Sequence, residues 1–580
     1  MHTANLLSEF PPITTEQWEN ALRDSISDPD TSAKMIWHPE EGLSIKPYYR
    51  AEDIAELSFL DAAPGDLPYV RGTRAVPGWR IREYVEIADP EAANCKAREL
   101  IAAGADEIAF VGPKIENSSH IALLLADLDH PVNFVGLGQG GVTTIYKRLQ
   151  ESPYPALVSC DLDPLANLEF MAEILKSPQS MFRPFTVHAE PFNESGAGSI
   201  EEIGFTLSAA VEALAQMQER GIGVDQVAQS ITFSFSIGPE FYLQIAKIRA
   251  FRMLWSQVVE AFHGNSEDGR PIVHARTARW NKTAYDPHVN ILRSTTEAIS
   301  AALGGADSIS IAAFDDCYRP PEENSRRLAR NAQLILKHEA RLASVADAAG
   351  GSYLIEAISN DIALNAWKLF QELERSGGFQ KAKESGLVLS VLGNRESRRQ
   401  EAVIQRRIAL TGTNRFADAS EKAYARIDPE WWGASNRVAF DIEALRLRTE
   451  RAALNGILPR IVLAEIGDAK MRRARSQFVA DFLGCAGLSA TVHAFESVTE
   501  MQTSQADVVV LCSSDSEYRA IASELMPRVN ASGRPACVLV AGSPRDKEQL
   551  VALGISDFIH IGCDAVAVFS RLQQRIGIGE

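Results

Sequence analysis

From about residue 105 to residue 375, short apolar runs alternate with longer stretches whose apolar positions recur every three or four residues, and the alternation repeats eight times. The runs are EIAFV (107 to 111), NFVGLG (133 to 138), ALVSCDLD (156 to 163), FTVHAE (185 to 190), ITFSFSIG (231 to 238), IVHART (272 to 277), SISIAAFD (308 to 315) and SVADAA (344 to 349). The stretches between them read as amphipathic helices. Between 241 and 262, Phe241, Ile245, Ile248, Trp255, Val258 and Phe262 share one side, and Lys247, Arg249 and Gln257 fall off it. Eight strand-helix units in series predict an α/β fold with a parallel sheet, and eight is the number that closes such a sheet into a TIM-type barrel. A doubly wound open sheet is the alternative.

Two runs bear on the barrel interior. In the fifth, Ile231, Phe233, Phe235 and Ile237 alternate with Thr232, Ser234 and Ser236, and the seventh sets Ile309 and Ile311 against Ser308 and Ser310. Ordinary barrels are filled by branched aliphatic residues. A small polar face instead lines a tunnel for an extended ligand or forms a core of hydrogen-bonded hydroxyls.

A second alternation begins past residue 458, with RIVLAEIG (460 to 467), SATVHAF (489 to 495), DVVVLCS (507 to 513), CVLVAGS (537 to 543) and FIHIG (558 to 562). Five such units predict a flavodoxin-like doubly wound sheet, with a ligand crevice at the carboxyl ends of its strands. Residues 419 to 457 are charged and helix-prone and read as a connector rather than a core. The first 60 residues hold one helix candidate, TTEQWENALRDSI, with Thr14 or Thr15 as cap. Pro39 and Pro47 break the stretch after it, so 1–60 is expected to be an extended arm wrapped on a partner, ahead of a barrel over 61–418, a connector over 419–457 and a second domain over 458–580.

The 580 residues are 46% hydrophobic and 23% charged, enough to bury several cores. Lys plus Arg number 58 against 76 Asp plus Glu, and the formal charge of −18 disfavours a nucleic acid or an anionic membrane as the main partner. No run of about 18 apolar residues spans a bilayer. The opening MHTANLLSEFPPITTEQWEN has acids, no Arg and no apolar segment, so no targeting presequence is readable. The 7 cysteines are scattered without a CxxC pair, which fits buried thiols in a reducing cytoplasm and argues against a zinc site or disulfides.

The stretches EEGLSIKPYYRAEDI (40 to 54), PYVRGTRAVPGWRIREY (68 to 84), IGPEFYLQIAKIRAFRMLW (237 to 255), RTARWNKTAYDPHVNILRSTTEAI (276 to 299), ARNAQLILKHE (329 to 339), GGSYLIE (350 to 356) and LTGTNRF (410 to 416) resemble, in order, the methylmalonyl-CoA mutase family. The resemblance implies a radical isomerase that interconverts methylmalonyl-CoA and succinyl-CoA with adenosylcobalamin, built from a substrate barrel and a carboxyl-terminal cobalamin domain.

Departures from the family pattern bear on function. The family holds cobalt on the histidine of an Asp-x-His-x-x-Gly loop, a neutral imidazole oriented by a carboxylate. The matching segment here is AEIGDAKMRRARSQF (464 to 478), with Ala469, Met471 and Ala474 where Asp, His and Gly would stand. Asp468 reads as a helix cap, MRRAR as the start of a regular helix, and His493 and His560 as satisfied strand histidines. In the barrel, EPFNESGAG (190 to 198) replaces a segment whose histidine binds the substrate thioester carbonyl, and Pro191 stands at that position. His188, three residues earlier, is expected to turn elsewhere. Tyr84 is retained, but Glu86 follows it and would repel a dicarboxylic acyl group, so Tyr84 reads as structural. GLGQGG (136 to 141) lacks the GxxxxGK[ST] of a phosphate loop.

The expectation is therefore a non-catalytic small subunit of a heterodimeric mutase, cytoplasmic, with neither catalytic nor cofactor residues of its own. The catalytic large subunit would carry adenosylcobalamin. Two other readings remain at this point: a stand-alone acyl-CoA mutase with an unusual substrate and no histidine on cobalt, or a CoA-binding or chaperone-like relative.

Overall fold

The computed structural model describes residues 13–26, 31–112, 115, 117–179, 181–265, 267, 269–433, 436–501, 505–532 and 537–579. Eight parallel strands close into a barrel in chain order: β1 (Arg80–Glu86), β2 (Glu107–Val111), β3 (Val132–Val135), β4 (Val158–Leu162), β5 (Phe182–His188), β6 (Ile231–Ile237), β7 (Val273–Thr277) and β8 (Ser308–Ser310). Closure pairs Arg80 of β1 with Ser308 of β8, and Ile81 with Ile309. The number agrees with the alternation, but the membership is shifted by one. The first strand lies upstream of the first predicted run, because only Ile81 and Val85 of β1 are buried apolar residues and charged or polar ones stand between them. SVADAA is not a strand. It follows a short turn of 3₁₀ helix, Leu342–Ser344, and its Asp347 has a φ of 47° and pairs with Arg71 at 3.0 Å and with Arg249.

The polar alternation of β6 points inward. Phe233 and Phe235 face the helices, packing on Phe251 with ring centroids 4.7 and 4.8 Å apart, each such ring contributing about 1.5–3 kcal/mol by burial.

Helix α1 (Thr15–Ser25) starts at Thr14, whose hydroxyl accepts from the backbone of Gln17 in a capping box, and none of its side chains is buried. Its Trp18 stacks on Tyr48 at 4.6 Å. The strap beyond α1 is not free to embrace a partner along its whole length, because Leu43, Ile45 and Phe59 are buried in the barrel's own core. Helices α2 (Ser199–Glu219), α3 (Phe241–Ala261) and α4 (Tyr353–Arg375) pack against one another outside the barrel. Lys247 and Arg249, on the polar side of α3, are fully buried between them, Lys247 on Glu202 at 2.6 Å and Arg249 on Glu356 at 2.6 Å. A second layer of helix covers the face that sequence periodicity alone leaves to water.

Helix α5 (Phe440–Leu454) lies in the expected connector yet is mostly buried. Glu443 accepts from Arg437 at 2.8 Å and from the backbone of Ala284 at 2.7 Å, and Gln573, near the end of the chain, donates to the Leu445 carbonyl at 2.6 Å. The carboxylates of this segment bind the barrel side rather than face water, and its backbone is held by Gln573 of the second domain.

The second sheet has five parallel strands, β9 (Ile461–Glu465), β10 (Ala490–Ala494), β11 (Val508–Cys512), β12 (Cys537–Ala541) and β13 (Asp557–Ile559), in the order β10-β9-β11-β12-β13. Helix α6 (Ala469–Cys485) follows β9, and α7 (Tyr518–Ser532) follows β11. No helix among the described residues is long and apolar enough to cross a membrane. Of the seven cysteines, all unpaired, only Cys95 is exposed.

Candidate functional site

The carboxyl ends of the barrel strands surround a cavity of about 260 Å³ lined by Arg82, Tyr84, Asp161, His188, Pro191 and Arg276, among others. Beneath it the inward hydroxyls and amides satisfy one another. Thr186 and Thr232 share a hydrogen bond of 2.6 Å, Asn133 donates to Ser159 at 2.8 Å, and His274 bonds Ser308 at 2.8 Å and Ser310 at 3.2 Å. Burial, with Arg82 and Arg276 nearby, pushes the His274 pKa far down, so this ring is neutral. The polar strand faces thus form a hydrogen-bonded core, and the space left at the mouth is below the roughly 300–1,000 Å³ of small-molecule pockets.

The floor is ionic. Glu107, 1% exposed, accepts from Arg80 at 2.7 Å and from Arg82 at 2.6 Å. Burial opposes its charge, but the two guanidinium groups outweigh that and hold its carboxyl below the ordinary range.

Pro191 occupies the second position of the short helix Glu190–Glu194 and offers no donor to the cavity it lines. His188 is not turned away, contrary to the sequence expectation: it closes β5 and lines the same cavity, its Nδ1 3.3 Å from Glu190 and its Nε2 3.3 Å from the Asp161 carbonyl. Burial disfavours its protonation, but the hydrogen bond and charge of Glu190, with Asp161, prevail and push its pKa to about 9. Tyr84 stands inside the barrel between this cavity and a second of about 230 Å³, which Glu86 also lines. The guanidinium of Arg276 lies 5.7 Å from the Tyr84 ring centroid. The glycine-rich stretch after β3 is engaged internally, since the Gly136 N–H donates to the Asp161 carboxylate at 3.0 Å.

At the second sheet, Asp468 caps α6, accepting from the Met471 N–H at 2.7 Å. Ala469, Met471 and Ala474 therefore sit on a regular helix, which the Asp-capped first turn explains. The crevice between β9 and β11, where the strand order reverses, holds side chains of the chain itself. Glu517 accepts from Ser513 and Ser514 hydroxyls at 2.6 Å each and from the Asp468 N–H at 3.2 Å, and those hydroxyls draw its carboxyl down to about 2. Arg475 pairs with Asp515 at 2.8 Å and with the Ala541 carbonyl, in space that a Cβ on Gly542 would overlap. His560 bonds Lys547 at 3.3 Å, whereas His493 is exposed on the edge strand β10 rather than satisfied within the sheet.

A family model described as methylmalonyl-CoA mutase matches residues 38–145 and 163–504. The chain belongs to the methylmalonyl-CoA mutase family. The methylmalonyl-CoA mutase small subunit of Porphyromonas gingivalis is 32% identical over 616 residues, covering 99% of this chain and 99% of that protein. The small subunit of Streptomyces virginiae is 30% identical over 622 residues, covering 99% and 98%. The methylmalonyl-CoA mutase of Rhizobium meliloti is 28% identical over 447 residues and covers 67% of this chain and 62% of its own length. Small-subunit relatives of the family thus match end to end, and this mutase matches over part of its length. Arg276, Glu107, Arg475 and Glu517 escape sequence reasoning because each lies in a charged or alternating stretch without a motif.

Proposed function

We propose that this chain is the non-catalytic small subunit of a heterodimeric methylmalonyl-CoA mutase, supporting isomerisation of methylmalonyl-CoA and succinyl-CoA by a cobalamin-bearing large subunit. The observation that carries this reading is the state of the second-sheet crevice. The strand order 2-1-3-4-5 supports a flavodoxin-like unit over 458–580, whose ligand crevice lies at the reversal of strand order. There the residues present do not fit a cobalamin: no imidazole stands at Met471, α6 is regular from its cap, and Arg475 and Glu517 fill the opening. Pro191 removes a donor at the barrel mouth as well, and the small-subunit names of the relatives that match over the full length agree with the reading.

The stand-alone mutase has less support, since it needs a CoA ester to enter a barrel whose mouth holds about 260 Å³. The exposed α1 remains the part of the arm suited to a partner, and the core-bound segment belongs with the barrel.

The test is purification of the full chain alone and beside a longer homologue with an intact Asp-x-His-x-x-Gly. The chain alone is expected to elute without cobalamin absorbance after gel filtration and to show no isomerisation, also as Pro191→His. The pair is expected to co-elute with the cofactor. Stoichiometric cobalamin or turnover in the isolated chain overturns the proposal.

A further inference from the structure

We propose that the strap over Trp37–Ile45 is fastened to the barrel by a proton held between the carboxyl groups of Glu41 and Glu240, and that loss of this proton releases the strap. The device lies in the chain's own arm and stands whether or not the chain is catalytic.

The strap is a small hairpin. Trp37 and Ile45 exchange two backbone hydrogen bonds of 2.9 Å, and the turn between them closes through the Gly42 N–H, which donates to the Pro39 carbonyl at 3.1 Å. Gly42 takes the left-handed φ of 79° that this turn requires. Leu43 and Ile45 anchor the returning arm in the barrel core, and the tip sends Glu41 inward. That residue is 7% exposed. Its Oε1 accepts from the N–H of Ser199, the first residue of α2, at 3.4 Å, whereas its Oε2 is buried with no hydrogen-bond partner among the described residues. An orphaned carboxylate oxygen is costly in such a place as an anion and far less so as a neutral acid.

The charges around the tip do not supply the missing counter-charge. Glu201 faces Glu41 from α2 and accepts from the Gly198 N–H at 3.1 Å and from Arg395, on the helix Leu387–Ile404, at 2.9 Å, so that guanidinium is committed to another carboxylate. Glu240 faces Glu41 from the start of α3, where its carboxylate neither caps the helix nor forms an ion pair among the described residues. Glu40 adds a further negative charge at the tip. The cations nearest Glu240 are engaged elsewhere: Arg399 donates to the carbonyls of Asn193, Gly196 and Ala197, and Lys247 is bound to Glu202. Burial, then the charges of Glu41 and Glu40, outweigh Arg399 and Lys247 and push the Glu240 pKa to about 8. Burial also raises Glu41, aided by Glu201 and opposed by backbone N–H groups and Arg395. Two such acids in low dielectric do not ionise together without repulsion, so the docked strap keeps a proton that the released strap gives up to water.

The sign follows from that proton. Docking is fully favoured below the ordinary carboxylate range, weakens as pH rises through the docked value of about 8, and levels off above it. For one proton the ratio of released to docked strap rises by up to about tenfold per pH unit. The experiment is hydrogen exchange of the full chain between pH 6 and 9.5, corrected for intrinsic rates and read by mass spectrometry in peptides covering 37–45. The bridge amides of Trp37 and Ile45 report docking, because so short a hairpin does not persist in water by itself. Their protection is expected to fall by up to about tenfold per pH unit to pH 8 and to level off above it, while the amides of β6 do not follow. Glu240→Gln, which keeps the shape and removes the charge, should flatten the profile and leave the strap protected at pH 9, and Glu41→Gln should act in the same direction. If neither variant folds, the wild-type comparison of strap and β6 decides. A flat wild-type profile, an equal slope in β6, or an unchanged slope in a folded Glu240→Gln overturns the proposal.

Discussion

The barrel mouth and the crevice of the second sheet occupy equivalent places, each at the carboxyl ends of parallel strands, yet they are finished in opposite ways. The mouth keeps open space above a floor of paired charges. The crevice is filled by an arginine and a glutamate whose hydrogen-bonding capacity is spent on neighbouring hydroxyls and backbone. One region is organised to hold charge in low dielectric with room above it, and the other substitutes its own side chains for a ligand. The lesson is that a motif's absence says only that a ligand's anchor is gone, while the residues replacing it decide whether the place remains a site.

The largest effect is expected at the barrel floor. Glu107→Gln leaves Arg80 and Arg82 buried without their counter-charge and should cost about 3–5 kcal/mol in urea unfolding. Because the folded pKa of Glu107 lies below its unfolded value, its contribution is present above the unfolded pKa and is lost as pH falls through the folded one. The gap between variant and wild type should therefore close in acid. A gap that stays constant with pH would assign the loss to packing and erase the electrostatic half of the comparison.

At the crevice, Gly542→Ala forces the Arg475 guanidinium out of its place and should cost about 1–3 kcal/mol. In the background Arg475→Ala the same change should cost clearly less, a coupling that a double-mutant cycle measures. Additive costs would mean that Arg475 does not fill the opening in solution.

A smaller effect separates the two regions by pH. His188 has a folded pKa of about 9, above its unfolded value, so its contribution is complete below the unfolded pKa and is lost as pH rises through the folded one. His188→Gln should destabilise by about 1 kcal/mol near pH 6, the exposure of the ring keeping the figure low, and by nothing measurable near pH 10. The smallest effect is that of Met471→His, within about 0.5 kcal/mol at a partly exposed helix position, with no cobalamin retained after gel filtration. Tight retention would show that the crevice opens on demand and would dissolve the contrast.

The second sheet was legible in the sequence because a strand covered on both faces is a continuous apolar run: VVVLC and CVLVA need no alternation to be seen. The barrel's first strand was not, because its inward side chains are Arg80, Arg82 and Tyr84, whose function is to meet other polar groups inside. Periodicity likewise located α3 but not the fate of Lys247 and Arg249, since a helix pattern reports one apolar face and is silent about a second layer of protein on the other. At the sites, the missing donors at Pro191 and Met471 were readable as letters. The fillers Arg475 and Glu517 were not, because on a helix and in the turn before one they look like any solvated charge until the crevice beside them is known. Strand spacing alone misplaces His188: three residues along a strand carry a side chain elsewhere, but the turn at Glu190 brings Pro191 back to the same cavity.

Helix α5 gives the molecule a property that neither region has alone. Its buried carboxylates Glu443 and Glu450 accept hydrogen bonds from groups that belong to the barrel side, and Gln573 from the last helix grips its backbone. Opening the barrel side strands those charges and opening the last helix unpairs that carbonyl, so fluctuations confined to one half are suppressed there. In hydrogen exchange, the amides of α5 should be among the slowest in the chain and should exchange only with global unfolding, making this charged segment the place where the two halves keep time with each other.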